Sequence, residues 1–299
     1  RPRLRRRTEA PHTIALAGRW RTTAEHAFGH ADPGHTVVAS YRDGWAWSVP
    51  TAHDERQVTV MVDPERTSLE GDGAAEIYRR ELSKVTAFGP LLEHASLEDG
   101  PWGADASAYT ADHYAERRFL LVGDAGSFID PLSSFGVKKA LASAWLGAIA
   151  THTILENQAI RAHALEFFDT RERRMAAALG AQAAQFAADA AGGGAYRDLP
   201  AFWSARTLGA ADAAGEDPED AGPLARDREV LAAFDALRTR PSATMSVSAD
   251  VRLVARPAVR GNRIVLDDHL VLPEWPEGIR YLRHVDLLAL TRLAPREAD

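Results

Sequence analysis

The chain has 299 residues, 45% of them hydrophobic and 26% charged, with a net charge of −7 and no cysteine. That is enough for one large globular domain or two small ones, and the acidic balance implies no general affinity for nucleic acid. The lack of cysteine excludes disulfides, thiolate zinc sites and a cysteine nucleophile, and is what a cytoplasmic protein would show.

Arg1–Arg7 is a basic run, read as a solvated connector rather than a nucleic-acid tail. His12–Trp20, Thr36–Arg42, Gly44–Pro50 and Gln57–Val62 read as antiparallel strands, with Thr51–Arg56 as polar turn material. Trp45 and Trp47 are two apart, so their rings share one side of a strand. Pro50 stops that strand or marks an edge. His26, His30 and His35 with Asp32 could suggest a metal, but Gly29 and Pro33 argue against a helix to hold the spacing, so no metal is expected. Ala74–Leu82 and Pro90–His94 read as helices.

Phe119–Val122 is a short apolar run closed by Gly123-Asp124, which reads as a buried strand. A loop rich in Gly, Ser and Pro follows, then a helix over Val137–Asn157. In that helix Val137, Leu141, Trp145 and Ile149 recur every four residues as one apolar face. It is the segment nearest to a membrane span, but Lys138, Lys139 and His152 interrupt it. The start of the chain has no apolar core of a signal peptide. Lys138 and Lys139 read as solvent-exposed, with phosphate or substrate contact as the other reading. A second helix covers Arg161–Ala190, ended by Ala191–Ala195. Ala210–Pro223 reads as a mobile acidic loop, and Asp217–Asp220 lacks the spacing of a calcium loop. A short helix spans Glu229–Leu237. A β-hairpin follows over Val251–Pro257 and Arg263–Leu266, turning at Gly261-Asn262. A last helix spans Asp286–Arg292. The fold class is α+β. The expected organisation is a substrate-side sheet over 1–117, the strand–loop–helix unit over 118–190 and a C-terminal region over 191–299.

A strand, a Gly-rich turn and a helix N-terminus together make a cradle for an anion or cofactor, because the first amides of a helix lack partners and the dipole favours negative charge there. Gly123–Leu141 (GDAGSFIDPLSSFGVKKAL) resembles the second flavin motif of the FAD-dependent monooxygenase superfamily. Asp130-Pro131 and Ser134–Val137 are most similar to its flavin-dependent halogenase branch. Gly44–Pro50 (GWAWSVP) resembles the Trp-x-Trp-x-x-Pro signature of that branch, and the two motifs lie in the family's order. The dinucleotide-binding G-x-G-x-x-G that opens such chains is not found. Gly71-Asp72-Gly73 and Gly192–Gly194 lack its context. The resemblance therefore covers about the last two-thirds of a family member. The chain reads as a fragment without the ADP-binding half and without the upstream lysine that true halogenases use.

The resemblance implies a role for each motif residue. Gly123 and Asp124 would hold the ribityl or diphosphate end of FAD, although an Asp after a strand can simply cap a turn. Pro131 and the amides of Ser134, Phe135 and Gly136 would face the flavin ring. The same three residues are the halide candidates, against plain helix capping. Phe135 departs from the small polar residue usual there. Trp45, Trp47 and Pro50 would wall the substrate side, linked in the family to keeping flavin–oxygen chemistry from direct hydroxylation; two core tryptophans are the plain alternative. Phe202 and Trp203 either line the substrate pocket or pack the core. The implied activity is an FAD-dependent oxidoreductase that halogenates an aromatic or carrier-bound small molecule with reduced flavin and O₂, the flavin coming from a separate reductase. A hydroxylase or reductase of the same superfamily, and a non-catalytic remnant or interaction module, are the alternatives.

Overall fold

In the computed structural model the described residues are 5–7, 11–22, 34–67, 73–192, 200–207, 228–242, 246–273, 275–282 and 285–294. His26, His30, Asp32, the acidic stretch 210–223 and the first four residues of the basic run lie outside them. The chain divides into two compact units that interleave along the sequence. The first comprises Arg1–Asp112, Asp124–Val137 and Leu179–Ala213; the second comprises His113–Gly123, Lys138–Ala178 and Ala214–Asp299.

The first unit is built on a five-stranded antiparallel sheet in the order β3-β4-β5-β2-β6. Its strands are β2 (Ile14–Thr22), β3 (Val37–Tyr41), β4 (Gly44–Ala52), β5 (Glu55–Val62) and β6 (Ala95–Asp105). A separate strand, β1 (Arg5–Arg7), pairs with β7 (Tyr109–Ala111). The end of the basic run is thus held in a ladder instead of serving as a connector, because β7 satisfies its backbone. The expected polar turn at 51–56 shrinks to His53-Asp54, as β4 and β5 pair out to Ala52↔Glu55. Strand β6 has no counterpart in the sequence reading. Its Gly100 and Pro101 argue against a strand, but β6 is the last strand of the sheet, where a residue without an N–H is tolerated.

Alternation along the strands divides the sheet into two faces. On one face Ala46, Val58, Val60 and Val62 pack with Ile77, Tyr78 and Leu82 of α1 (Ala74–Ser83) and Leu91 of α2 (Gly89–Leu92). The Tyr78 hydroxyl donates to the Val58 carbonyl at 3.0 Å and accepts from Trp20 Nε1 at 2.8 Å, and burial pushes its pKa up to about 12. Gly44 opens β4 because nothing larger fits. A Cβ there would lie 2.2 Å from the Met61 carbonyl oxygen and 2.6 Å from the Tyr41 hydroxyl.

In the second unit β8 (Ala115–Glu116) and β9 (Phe119–Leu120) form a minimal hairpin. The buried strand expected over Phe119–Val122 is therefore two residues long and half-buried; β8 is its one partner among the described residues, so no sheet encloses it. The long helices α3 (Gly136–Glu156) and α4 (Arg161–Gly192) follow, with 138–178 in this unit and residues 136–137 and 179–192 in the first. Strands β11 (Arg252–Arg260), β12 (Arg263–Leu272) and β13 (Trp275–Ile279) extend the expected hairpin to three strands, with Gly261 in the left-handed region at φ +60° between the first two. Thr153 joins α3 to this sheet by accepting from the Ile264 amide at 2.9 Å, and Arg263 meets Glu156 at 2.8 Å. The Asp286 side chain caps the last helix, Leu287–Thr291, at the Ala289 amide.

Helix α3 overturns the expected apolar face. Val137, Leu141 and Trp145 are 75%, 67% and 60% exposed, while Ile149 is buried. The buried row is Lys139, Ser143, Leu146, Ala150 and Thr153. Its spacing of four, three, four and three follows the 3.6-residue turn. A strict spacing of four drifts by about 40° at each step, so the fourth member leaves the face of the first. Lys139 is accordingly buried, contrary to the solvent exposure expected of it, whereas Lys138 is exposed. Among the described residues no helix is long and apolar enough to cross a membrane.

Candidate functional site

The second face of the five-stranded sheet carries the expected substrate wall. Trp45 and Trp47 project together from β4, ring centroids 4.8 Å apart and planes tilted by 34°. Trp45 is buried and Trp47 half-buried. They share one cluster with Met61, with Ala187 and Ala191 of α4, and with Phe202 and Trp203 of α5 (Ala201–Ser204). Phe202 and Trp203 meet edge to face at 5.1 Å, and Trp203 Nε1 donates to the Tyr41 carbonyl at 2.9 Å. Both rings are sealed in this cluster, so they behave as its core. Trp45 Nε1 and Thr59 Oγ1 are buried without a hydrogen-bond partner among the described residues. In register Trp47 lies opposite Thr59, which puts both orphaned atoms on the tryptophan face. Pro50 is placed differently from expectation. It has the parity of Ala46 and Ser48, so it lies on the opposite face of β4 from the two indoles. It sits where β3 no longer pairs, since that ladder ends at Val37↔Ser48, but the strand runs on past it.

The loop between Asp124 and α3 belongs to the same unit. Its residues Phe128 and Leu132 pack on the tryptophan cluster, and Phe128 of β10 (Ser127–Phe128) stacks on Tyr109 at 6.0 Å. The structure therefore brings the Trp pair, the flavin-type loop and the Phe202-Trp203 segment to one place. The Asp124 side chain is exposed, and the Asp124 carbonyl accepts from the Tyr109 hydroxyl. Asp130 forms an Asx-type turn: its side chain accepts from the Leu132 amide at 3.0 Å, and its carbonyl accepts from the Ser133 amide at 3.1 Å. Pro131 is the first residue of this turn. The Ser134 amide donates to the Pro131 carbonyl at 2.9 Å, with Ser134 left-handed at φ 57°. Ser134 therefore cannot offer its amide to a ring or halide as expected, because the turn consumes it. Gly136 opens α3; it is exposed, and a Cβ built on it meets nothing within 4 Å. First-turn amides have no intrahelical acceptor, so the helix opening supplies the donors at this end. Phe135 is half-buried beside it.

Arg206 closes the turn from the side. Its side chain is 6% exposed, and Nε lies 3.7 Å from Asp130 Oδ2. The guanidinium sits 3.6 Å over the Phe202 ring and donates to the Phe202 carbonyl at 3.0 Å and to Thr13 Oγ1. Burial lowers the Arg206 pKa to about 10 in spite of Asp130 and Asp63. Burial likewise raises the Asp130 carboxyl, against the Leu132 amide and Arg206.

Gly123 belongs to the second unit, where it is held by a buried polar chain. Its amide donates to Ser143 Oγ at 3.0 Å, its carbonyl accepts from Lys139 Nζ at 3.4 Å, and Ser143 Oγ donates to Glu172 Oε2 at 2.7 Å. Gly123 has φ +59°, and a Cβ there would press Ala140 at 3.1 Å. Glu172 Oε1 is buried without a partner among the described residues. Burial raises the Glu172 pKa, against Ser143, Lys139 and Arg171. The sequence reading assigned no role to Asp130 beyond the motif, nor any to Ser143, Glu172 or Arg206, and for Lys139 it offered only exposure or a phosphate or substrate contact. An Asp before a Pro is a turn signal that could have marked Asp130; the others carry none.

No known protein-family model matches the chain. The chain is similar to curated flavin-dependent halogenases. It is 32% identical over 138 residues to a tryptophan 2-halogenase of Chondromyces crocatus, covering 45% of this chain and 26% of that protein. It is 29% identical over 167 residues to a sulochrin halogenase of Aspergillus terreus, covering 53% and 29%. Among solved structures, the flavin-dependent halogenase CmlS superposes with a TM-score of 0.70 at 20% identity, covering 98% of this chain and 58% of that one. The peptidyl tryptophan dihydroxylase QhpG superposes with a TM-score of 0.63 at 22% identity, covering 97% and 58%. The matches thus span under a third of each curated relative and somewhat over half of each solved chain. The α+β fold is that of part of a halogenase-like chain.

Proposed function

We propose that this chain is the substrate-side and loop-bearing part of an FAD-dependent oxidoreductase of the halogenase-like type. Such an enzyme halogenates an aromatic or carrier-bound small molecule, with reduced flavin supplied by a separate reductase. The observation that carries this reading is the meeting of the Trp pair with loop residues Phe128 and Leu132 in one cluster. It is supported by sequence similarity to halogenases named for tryptophan and for sulochrin.

The residues present fit a flavin. Asp124 is exposed, and the opening of α3 at Gly136 is uncrowded. When bound, reduced flavin supplies the electrons that activate O₂. Asp124 accepts from hydroxyls of the ribityl chain or faces the diphosphate. The Gly136 amide and the dipole of α3 stabilise negative charge on the ring edge, or hold a halide there. Phe135 narrows that space. The half-buried Trp47, backed by the buried Trp45, gives an aromatic substrate an apolar wall and excludes water from that side.

A hydroxylase is the second reading, because a dihydroxylase shares the fold to nearly the same degree. Two measurements test the proposal. Titration of the chain with FAD, read by flavin fluorescence, is expected to show weak binding; sub-micromolar affinity would show that a complete site exists within these residues. Supplying bromide and reduced flavin to the intact gene product, with mass spectrometry of the product, is expected to give a brominated species. A purely oxygenated product would replace halogenation with hydroxylation.

A further inference from the structure

We propose that Arg206 is a positioning residue that fixes the Asp130–Ser134 turn against the tryptophan-bearing layer. The proposal rests on the reading above only for why the turn matters; its geometry stands without a ligand. Three pieces of chain converge on this one side chain. Its Nε faces Asp130 Oδ2 at 3.7 Å, its Nη1 donates to the Phe202 carbonyl at 3.0 Å, and Nη2 donates to Thr13 Oγ1. The guanidinium plane covers Phe202 at 3.6 Å. Asp130 in turn fixes the loop, because its side chain and its carbonyl accept from the next two non-proline amides, Leu132 and Ser133. The carboxylate thus faces the cation with one oxygen and the turn with the other.

A planar guanidinium suits this task. It can stack on an aromatic face, donate in its own plane to two acceptors and still present charge to a carboxylate, whereas an ammonium can satisfy the charge alone. Removing the cation leaves Asp130 half-buried beside an apolar cluster, with no other opposite charge acting on it among the described residues, and an uncompensated carboxylate there draws water into the turn. The consequence is a displaced Pro131 and Ser134, and with them a displaced opening of α3 at Gly136. Arg206 lies three residues after Trp203, so the wall and the loop are tied through one side chain.

The test is hydrogen exchange followed by mass spectrometry on the chain without ligand, comparing wild type with Arg206→Gln, Arg206→Lys, Asp130→Asn and the double variant R206Q/D130N. Arg206→Gln is expected to speed exchange in the peptide spanning Leu132–Ser134 by about tenfold or more, with β4 and β5 unchanged. Asp130→Asn should match it, and the double variant should add nothing further. Arg206→Lys, which keeps the charge but not the stacking or the paired donation, should restore part of the protection. Unchanged exchange in the loop would overturn the proposal, as would equal losses in the Lys and Gln variants, additive effects in the double variant, or acceleration spread across the sheet. If Arg206→Gln does not fold, the Lys and Asn variants decide by the same readout. Titrating the wild-type chain with riboflavin separates this question from the function: no binding counts against the flavin reading, and the exchange pattern alone still decides Arg206.

Discussion

Replacing Trp203 measures whether the α5 segment is core or pocket. Its indole is completely buried, stacks edge-on against Phe202 and donates to the Tyr41 carbonyl at 2.9 Å. Trp203→Phe keeps most of the apolar volume and removes the donor, leaving a buried carbonyl unsatisfied at a cost of about 1–3 kcal/mol. Trp203→Ala also opens a cavity among Trp45, Met61 and Phe202, and large aromatic truncations of that kind cost about 3–5 kcal/mol. The alanine variant should therefore lie clearly below the phenylalanine variant in stability, both below wild type. Urea denaturation followed by circular dichroism gives both differences, with an unchanged slope showing that the denatured state is the same. A Trp203→Ala protein within about 1 kcal/mol of wild type would refute the packing argument. It would mean that the indole lines accessible space and that the cluster tolerates its loss.

Two further outcomes follow from the second unit. The folded-state pKa of Glu172 is raised by burial, so its contribution to stability is present below the ordinary carboxylate range and is lost as pH rises through the raised value. Glu172→Gln keeps an acceptor for Ser143 and should flatten that decline, so melting curves across the pH range should show the variant gaining on wild type towards alkaline pH; parallel curves would contradict this. The exposed Val137, Leu141 and Trp145 should make the chain associate as its concentration rises. Substituting Leu141 and Trp145 with glutamine should return it to a single monomeric species in size-exclusion chromatography, and identical elution of both proteins would count against the stripe as the cause.

The strands of the first unit were legible because each has one face on a core, and alternation at Val58, Val60 and Val62 reports that directly. Strand β6 was not, because an end strand accommodates Gly100-Pro101 that an inner one could not. The Trp pair and the loop were legible as local motifs. Their meeting was not, since it depends on long-range packing of Phe128 and Leu132 onto Trp45 and Trp47. The period of α3 misled for a different reason: the helix is apolar on more than one side, and counting by fours selected the outer one. Lys139, Ser143 and Glu172 could not be foreseen, because what draws a charged row inward is the Gly123 peptide, which has no side chain to announce it. Ser134 shows the limit of motif transfer. The residue is in place, yet its amide belongs to the turn.

The α3 helix buries Lys139 and leaves Val137, Leu141 and Trp145 bare. Trp145 stands in water on that outer row, flanked by Leu141 and Ala148 and by no ionised neighbour within one turn. Its fluorescence should accordingly be long in wavelength and open to quenching by acrylamide. Whatever settles over the helix will shift that emission to the blue and shield it. The chain thus carries, on the face left bare, an optical gauge of its own docking.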